Sequence, residues 1–203
     1  MGAFMKKLII LIATVWICAA CLPDNFGVLD SKKGDFTREE AIRAYREISG
    51  VVVNSSVEAM LGLINPGGET KEKESSLHLK EDGSFTGARS GPEGGEAICE
   101  GQGDVQDGRL SVGFGTNFEA YGQGGLVFEG FVDYAYSGVI GQFAATVEGD
   151  INVEGDLKGQ LNFSLTITWD GDTLTTEGKI GEHDYTNIKP LESDAATYLY
   201  PMI

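Results

Sequence analysis

The chain has 203 residues, with 31 acidic and 15 basic side chains and a formal charge of −16. Phosphate contacts need Lys and Arg, so such a chain repels DNA, RNA and anionic headgroups. With Cys18 in the leader segment and Cys21 at its end, two His and one spare Cys, Cys99, are too few for a His/Cys zinc centre, and the 29 glycines follow no triplet period, which excludes a collagen-like chain.

In chain order, the first feature is a short basic pair, Lys6 and Lys7. An apolar run from Leu8 to Ile17, broken only by Thr14, follows it, and the small residues Ala19 and Ala20 close the segment. Basic, then apolar, then small is the layout of a secretory signal. The apolar run is too short for a membrane span, which needs about 20 residues to cross roughly 30 Å of hydrocarbon.

The end of this segment, Cys18-Ala19-Ala20-Cys21, resembles the lipobox of bacterial lipoproteins, with Cys18 standing where that family usually has Leu. The resemblance covers only this segment. It implies that residues 1–20 are removed and that Cys21 is lipidated. A diacylglyceryl group plus an N-acyl chain meets the requirement of two or more chains for stable anchoring. The same resemblance places the protein in the cell envelope. Leu22 follows the Cys, rather than the Asp that retains such proteins at the inner membrane, so the outer membrane is favoured. The alternative is a plain secretory signal cut between Ala20 and Cys21, which gives a periplasmic or secreted soluble protein. Cys21 and Cys99 are then free to pair in an oxidising compartment. With lipidation, Cys99 is the only free thiol of the mature chain.

Removing the signal takes away Lys6 and Lys7, which leaves 13 basic residues against 31 acidic ones and a formal charge of −18. The remaining 183 residues suit one domain. Residues 21–36, with Pro23, Gly27 and Gly34, read as a tether. A helix is expected over 37–66. Thr37 and Glu40 form a capping box, and Ala41, Ile42, Tyr45, Ile48, Val52, Met60, Leu61 and Ile64 recur at three- and four-residue steps. Gly50 and Val51 to Val53 weaken its middle, and Asn65-Pro66-Gly67-Gly68 ends it. The break near Gly50 leaves no three unbroken heptads, so the stripe is read as packing on the chain's own sheet in preference to a partner helix.

Residues 75–188 are expected to form the β domain. The strand candidates are Ser76 to Lys80, Ser84 to Gly87, Glu96 to Glu100, Arg109 to Phe114 and Leu126 to Tyr136. A loop is expected over Ala88 to Gly95, and the Gly/Asp stretch Gly101 to Gly108 is read as separating two strands. From Phe143 to Trp169 the apolar residues fall on odd positions and the polar ones on even positions, which marks a sheet with one wet face. Leu161, Phe163, Leu165, Ile167 and Trp169 are candidate core. Thr173 to Ile180 and His183 to Ile188 add strands, and 189–203 reads as a tail. Val147-Glu-Gly-Asp recurs as Val153-Glu-Gly-Asp. Two copies fall short of the three that a solenoid needs, so they are read as strands with turns or bulges. The expected fold is therefore mainly β (α+β): one long N-terminal helix on a predominantly antiparallel meander, sandwich or incomplete barrel.

No nucleophile elbow, His-Glu-x-x-His pair or phosphate-binding loop occurs in the chain. His183, between Glu182 and Asp184, and His78, between Leu77 and Leu79, read as solvated strand residues, because neighbours on a strand point to opposite faces. Cys99 has no cationic neighbour in sequence and reads as an inert thiol. No cofactor is expected. Calcium is the nearest candidate, at Asp104 and Asp107 or at Asp170 and Asp172, where clustered carboxylates sit in loops. The expected function is a non-enzymatic binding or structural module held at a membrane, with a protein or small-ligand partner. The alternative is a carrier of a lipid or small apolar ligand, in which Phe128, Phe131, Tyr134, Tyr136 and Phe143 line a cavity.

Overall fold

The structure is a computed structural model that describes residues 36–64, 77–139 and 142–190. The signal segment, Cys21, the tether to residue 35 and the tail beyond 190 lie outside those residues. One helix, α1 (Arg38–Ile64), precedes nine strands: β1 (Leu77–Leu79), β2 (Ser84–Ser90), β3 (Glu96–Gln106), β4 (Arg109–Gln123), β5 (Leu126–Val139), β6 (Gln142–Gly155), β7 (Gly159–Trp169), β8 (Thr173–Ile180) and β9 (His183–Pro190). The strands form one antiparallel meander in the order β1 to β9. Neither end strand pairs with the other, so the sheet is not closed. The class is α+β with a mostly antiparallel sheet, as the alternation implies.

The capping box at the start of α1 is present. The Thr37 N–H donates to Glu40 Oε2 at 2.8 Å, and the Glu40 N–H donates to Thr37 Oγ1 at 3.3 Å. The helix continues through Gly50 to Ile64. It buries Ala41, Ala44, Tyr45, Ile48, Val52, Ala59 and Met60, and it touches β1, β3, β4, β5, β7 and β8. Length and mean hydropathy alone would let α1 cross a membrane. In this fold its apolar stripe lies on the sheet. The strand alternation supplies the other half of the core: Phe114, Phe118, Phe128, Val132, Tyr134, Tyr136, Phe143, Val147, Ile151, Leu161, Phe163 and Leu165 all face inward and are buried. The edge of the Tyr45 ring meets Phe163, with centroids 5.0 Å apart.

Four expectations change. Gly101 to Gly108 does not separate two short strands. Gly101 to Gln106 belongs to β3, and only Asp107 and Gly108 turn, with φ of 51° and 77°. Two consecutive positive φ values make the two-residue hairpin turn that suits strand twist. Gly101 sits inside the strand because a Cβ there would lie 2.3 Å from Phe114 Cβ and 2.7 Å from Phe85 Cζ. The expected loop at Ala88 begins later, because β2 extends to Ser90 and pairs it with Glu96. His183 is not simply solvated. It faces inward on β9, and its Nε2–H donates to the Phe36 carbonyl at 2.9 Å, holding the chain just before α1. Of the two Glu-Gly-Asp copies, the first runs straight through β6, and only the second meets a turn, at Gly155 and Asp156.

The capping box gives a direct prediction. Thr37→Ala should cost about 1 kcal/mol, which lowers the melting temperature of a domain this size by roughly 2–4 °C. Calorimetry checks this, and an unchanged melting temperature would show that the cap is energetically idle.

Candidate functional site

The two faces of the sheet offer two possible sites. On the inner face, a cleft lies between α1 and β5 to β9. It is lined by Tyr45, Ile48 and Val52 from the helix and by Tyr134, Phe143 and Phe163 from the sheet, among others. Its volume is about 30 Å³. That accommodates water, whereas ligand pockets run to about 300–1,000 Å³. Beside it, Tyr136 and Phe143 pack with centroids 5.3 Å apart, and Phe143 meets the Trp169 ring edge-on at 6.0 Å. The Tyr136 hydroxyl and Trp169 Nε1 are buried, and among the described residues neither has a hydrogen-bond partner. Burial pushes the Tyr136 phenol well above its ordinary range.

The five aromatics expected to line one cavity divide between the faces. Phe128, Tyr134, Tyr136 and Phe143 are inward and buried. Tyr134 and Phe143 reach the cleft, while Phe128 is fully enclosed in the core. Phe131, of the other parity on β5, lies on the outer face with 45 % of its surface exposed.

Phe131 belongs to the second site. Strand register sets Asn117, Phe131, Asp150 and Asn162 in one row across β4 to β7, and Gly115, Asp133, Glu148 and Ser164 in the next. The side chains of each row share the outer face. Gly115 leaves room at one end: a Cβ there would lie 2.2 Å from Phe131 Cζ, so the tip of the ring covers this glycine. The result is a shallow groove of about 340 Å³ lined by Phe131, Asp133, Glu148, Asp150 and Ser164. Glu148 accepts a bond from the Ser164 hydroxyl at 3.1 Å, and Asp150 accepts one from Gln160. Asp133 faces Glu148 directly, and among the described residues no cation is paired to either. Like charges placed this way destabilise a sheet. Sequence reasoning grouped Phe131 with the core aromatics. Its parity, opposite to that of Phe128 and Val132, was the signal that separates it.

The remaining candidates are structural. Cys99 faces inward on β3 and is 3 % exposed. Burial pushes its thiol up to about 11, against a weaker opposing effect of the Thr116 and Ser55 hydroxyls. Nearby, Glu58 on α1 forms an ion pair with Arg89 on β2, each about a quarter exposed. Asp170 Oδ1 accepts the backbone N–H groups of Asp172 and Thr173, which hold its carboxyl below the usual range. Asp82 is lowered in the same way by Ser84. These are turn-closing bonds. Among the described residues no three His, Cys, Asp or Glu side chains are arranged to hold a metal ion.

Searches against protein-family models, curated proteins and solved structures find nothing that matches this chain.

The thiol carries a pH prediction. The reactive form is the thiolate, which is scarce at pH 8 for a group titrating near 11. In a Cys21→Ser mature chain, Cys99 should resist an aromatic disulfide reagent at pH 8 and react fully once unfolded. Unfolding also releases the thiol to titrate near its ordinary 9, so this group favours the folded state below pH 9 and loses that contribution between about pH 9 and 11. Rapid labelling of the folded chain at pH 8 would contradict the burial.

Proposed function

We propose that this chain is a membrane-anchored envelope lipoprotein whose domain is a non-enzymatic binding module, and that it binds through the outer face of its sheet. The anchor rests on Lys6-Lys7, the apolar run and Cys21. The use of the outer face rests on one observation: α1 fills the interior and leaves a cleft of only about 30 Å³. A partner therefore meets the wet side of the sheet, where the groove of about 340 Å³ lies. A protonated, buried Cys99 and turn-bound Asp170 offer no reacting group, which supports binding over catalysis.

A second reading keeps the interior in use, as a carrier of a small apolar ligand. Its support is the pair of unpartnered buried donors, Tyr136 O–H and Trp169 Nε1–H, on either side of Phe143 in the cleft wall. In that reading, shifting α1 widens the cleft, and the two donors meet an acceptor on the ligand.

One measurement on protein purified from its native membrane addresses both. Intact mass spectrometry should show an acylated chain starting at Cys21, and Cys21→Ser should abolish the modification. Native spectra should show no retained small molecule. An unmodified chain starting at Cys21 would overturn the anchor, and a stoichiometric apolar ligand would favour the carrier.

A further inference from the structure

The outer groove specifies its partner more narrowly. Resting on the reading of the outer face as the binding surface, we propose that the Phe131 groove docks a lysine- or arginine-bearing segment of a protein partner. Three observations favour this occupant over the others.

The first is charge. At the outward positions of β5 and β6, the strands that carry the groove's acids, the carboxylates of Glu129, Asp133, Glu148, Asp150 and Glu154 are exposed with no cation among them. The exposed cations of β4 and β8 are Arg109 and Lys179; Lys179 lies beside Ser164 and 3.8 Å from Asp184. Arg109 is already bonded to the Ser137 hydroxyl at 2.8 Å. An anionic partner is excluded by repulsion, and a basic one is steered in.

The second is the exposed ring. Phe131 is 45 % exposed in the middle of β5. The other exposed apolar side chains of that strand, Val127 and Val139, lie at its two ends. Phe131 is paired directly with Asp150 and lies one row from the opposed Asp133 and Glu148. An aromatic face bordered by carboxylates suits an ammonium or guanidinium group on an apolar stem. The ring takes the stem and part of the charge, and the carboxylates take the rest.

The third separates an organic cation from a metal. These carboxylates do not converge as a metal-holding group. They are spread along two strands, with an apolar ring beside them, so a hard ion gains little from the ring and lacks a closed shell of oxygens. A long, flexible cationic side chain can span the row.

The opposed pair gives the test its signature. Asp133 and Glu148 cost stability where they stand, so neutralising them should weaken binding without weakening the fold. A control exists in the same sheet. Glu96 and Glu119 are also directly opposed across β3 and β4, with no aromatic in their row. Titration calorimetry of the full chain with octalysine and octaarginine, and with an octaserine blank, should give binding to both basic peptides that falls with added salt. Asp133→Asn with Glu148→Gln should lose at least tenfold in affinity and melt at or above the wild-type temperature. Phe131→Ala should lose severalfold. So should Gly115→Ala, which displaces the ring and leaves every charge in place. Glu96→Gln with Glu119→Gln should keep most of the affinity. Equal losses in the two double variants would reduce the effect to overall charge and overturn the groove as the site. Retained affinity in the Asp133/Glu148 variant would overturn the groove while leaving a binding module with its surface elsewhere. Absence of peptide binding would overturn the cationic partner, and it would leave the membrane anchor to be judged by its own mass measurement.

Discussion

The fold depends on the cover that α1 gives to one face of an open sheet. A nine-stranded meander has an apolar face of its own, and an apolar sheet face must be buried against another element. Closing the sheet would hide the inner side chains, but β1 and β9 do not pair. The helix does that work. It is held at its start by His183 on the Phe36 carbonyl and by Arg43 on the Gly124 carbonyl and Asp156, each of the Arg43 bonds at 3.0 Å. Further along, Gln123 donates to Glu47 at 3.1 Å, and the Glu58–Arg89 pair fixes the distal half. Between these points Tyr45, Ile48, Val52 and Met60 press on the sheet. Each large apolar side chain buried there contributes about 1.5–3 kcal/mol before entropy is subtracted. The polar clamps add less, and they decide where the helix lies.

The sequence showed the architecture where local pattern and tertiary role agree. The odd-numbered apolar residues from Phe143 to Trp169 are inward in β6 and β7, because a strand keeps its period of two regardless of its neighbours. Thr37 and Glu40 cap the helix because the bonds they make are local. The misreadings fall where a residue's job is set from a distance. Gly101 looked like a loop residue, yet it is a strand residue pressed by the Phe85 ring and the Phe114 Cβ, and Phe85 arrives from β2. The second half of β4, from Gly115 to Gln123, carries weak alternation and a bulge between Phe118 and Tyr121, and its partner β5 imposes the strand. His183 gained its role from Phe36, 147 residues away in sequence. The groove was the least legible part, since Phe131, Asp133, Glu148 and Ser164 meet only through the register of three strands.

The two faces divide the chemistry. The inner one is closed, aromatic and nearly dry; its fully buried polar side chains are hydroxyls and phenols, and the half-buried Arg89 and His183 bond to the helix and the residue before it. The outer one carries carboxylates at close spacing with almost no cations. Such a surface keeps the domain soluble. It also holds the face away from the anionic headgroups to which a lipid anchor would bring it.

The meander sets an order of assembly. Every strand pairs with the one before it in sequence, so hairpins can close one after another as the chain emerges, with little loop entropy to overcome. The helix is the exception. It precedes every strand, yet it packs against strands as late as β7 and β8. A chain that emerges with this end first exposes the apolar stripe of α1 long before its cover exists. During that interval Ile48 and Met60 face water, and α1 is the segment most open to a holding chaperone or to self-association. The last strands to form thus release the first element from its waiting state, and completion of the sheet and burial of the helix become a single late event.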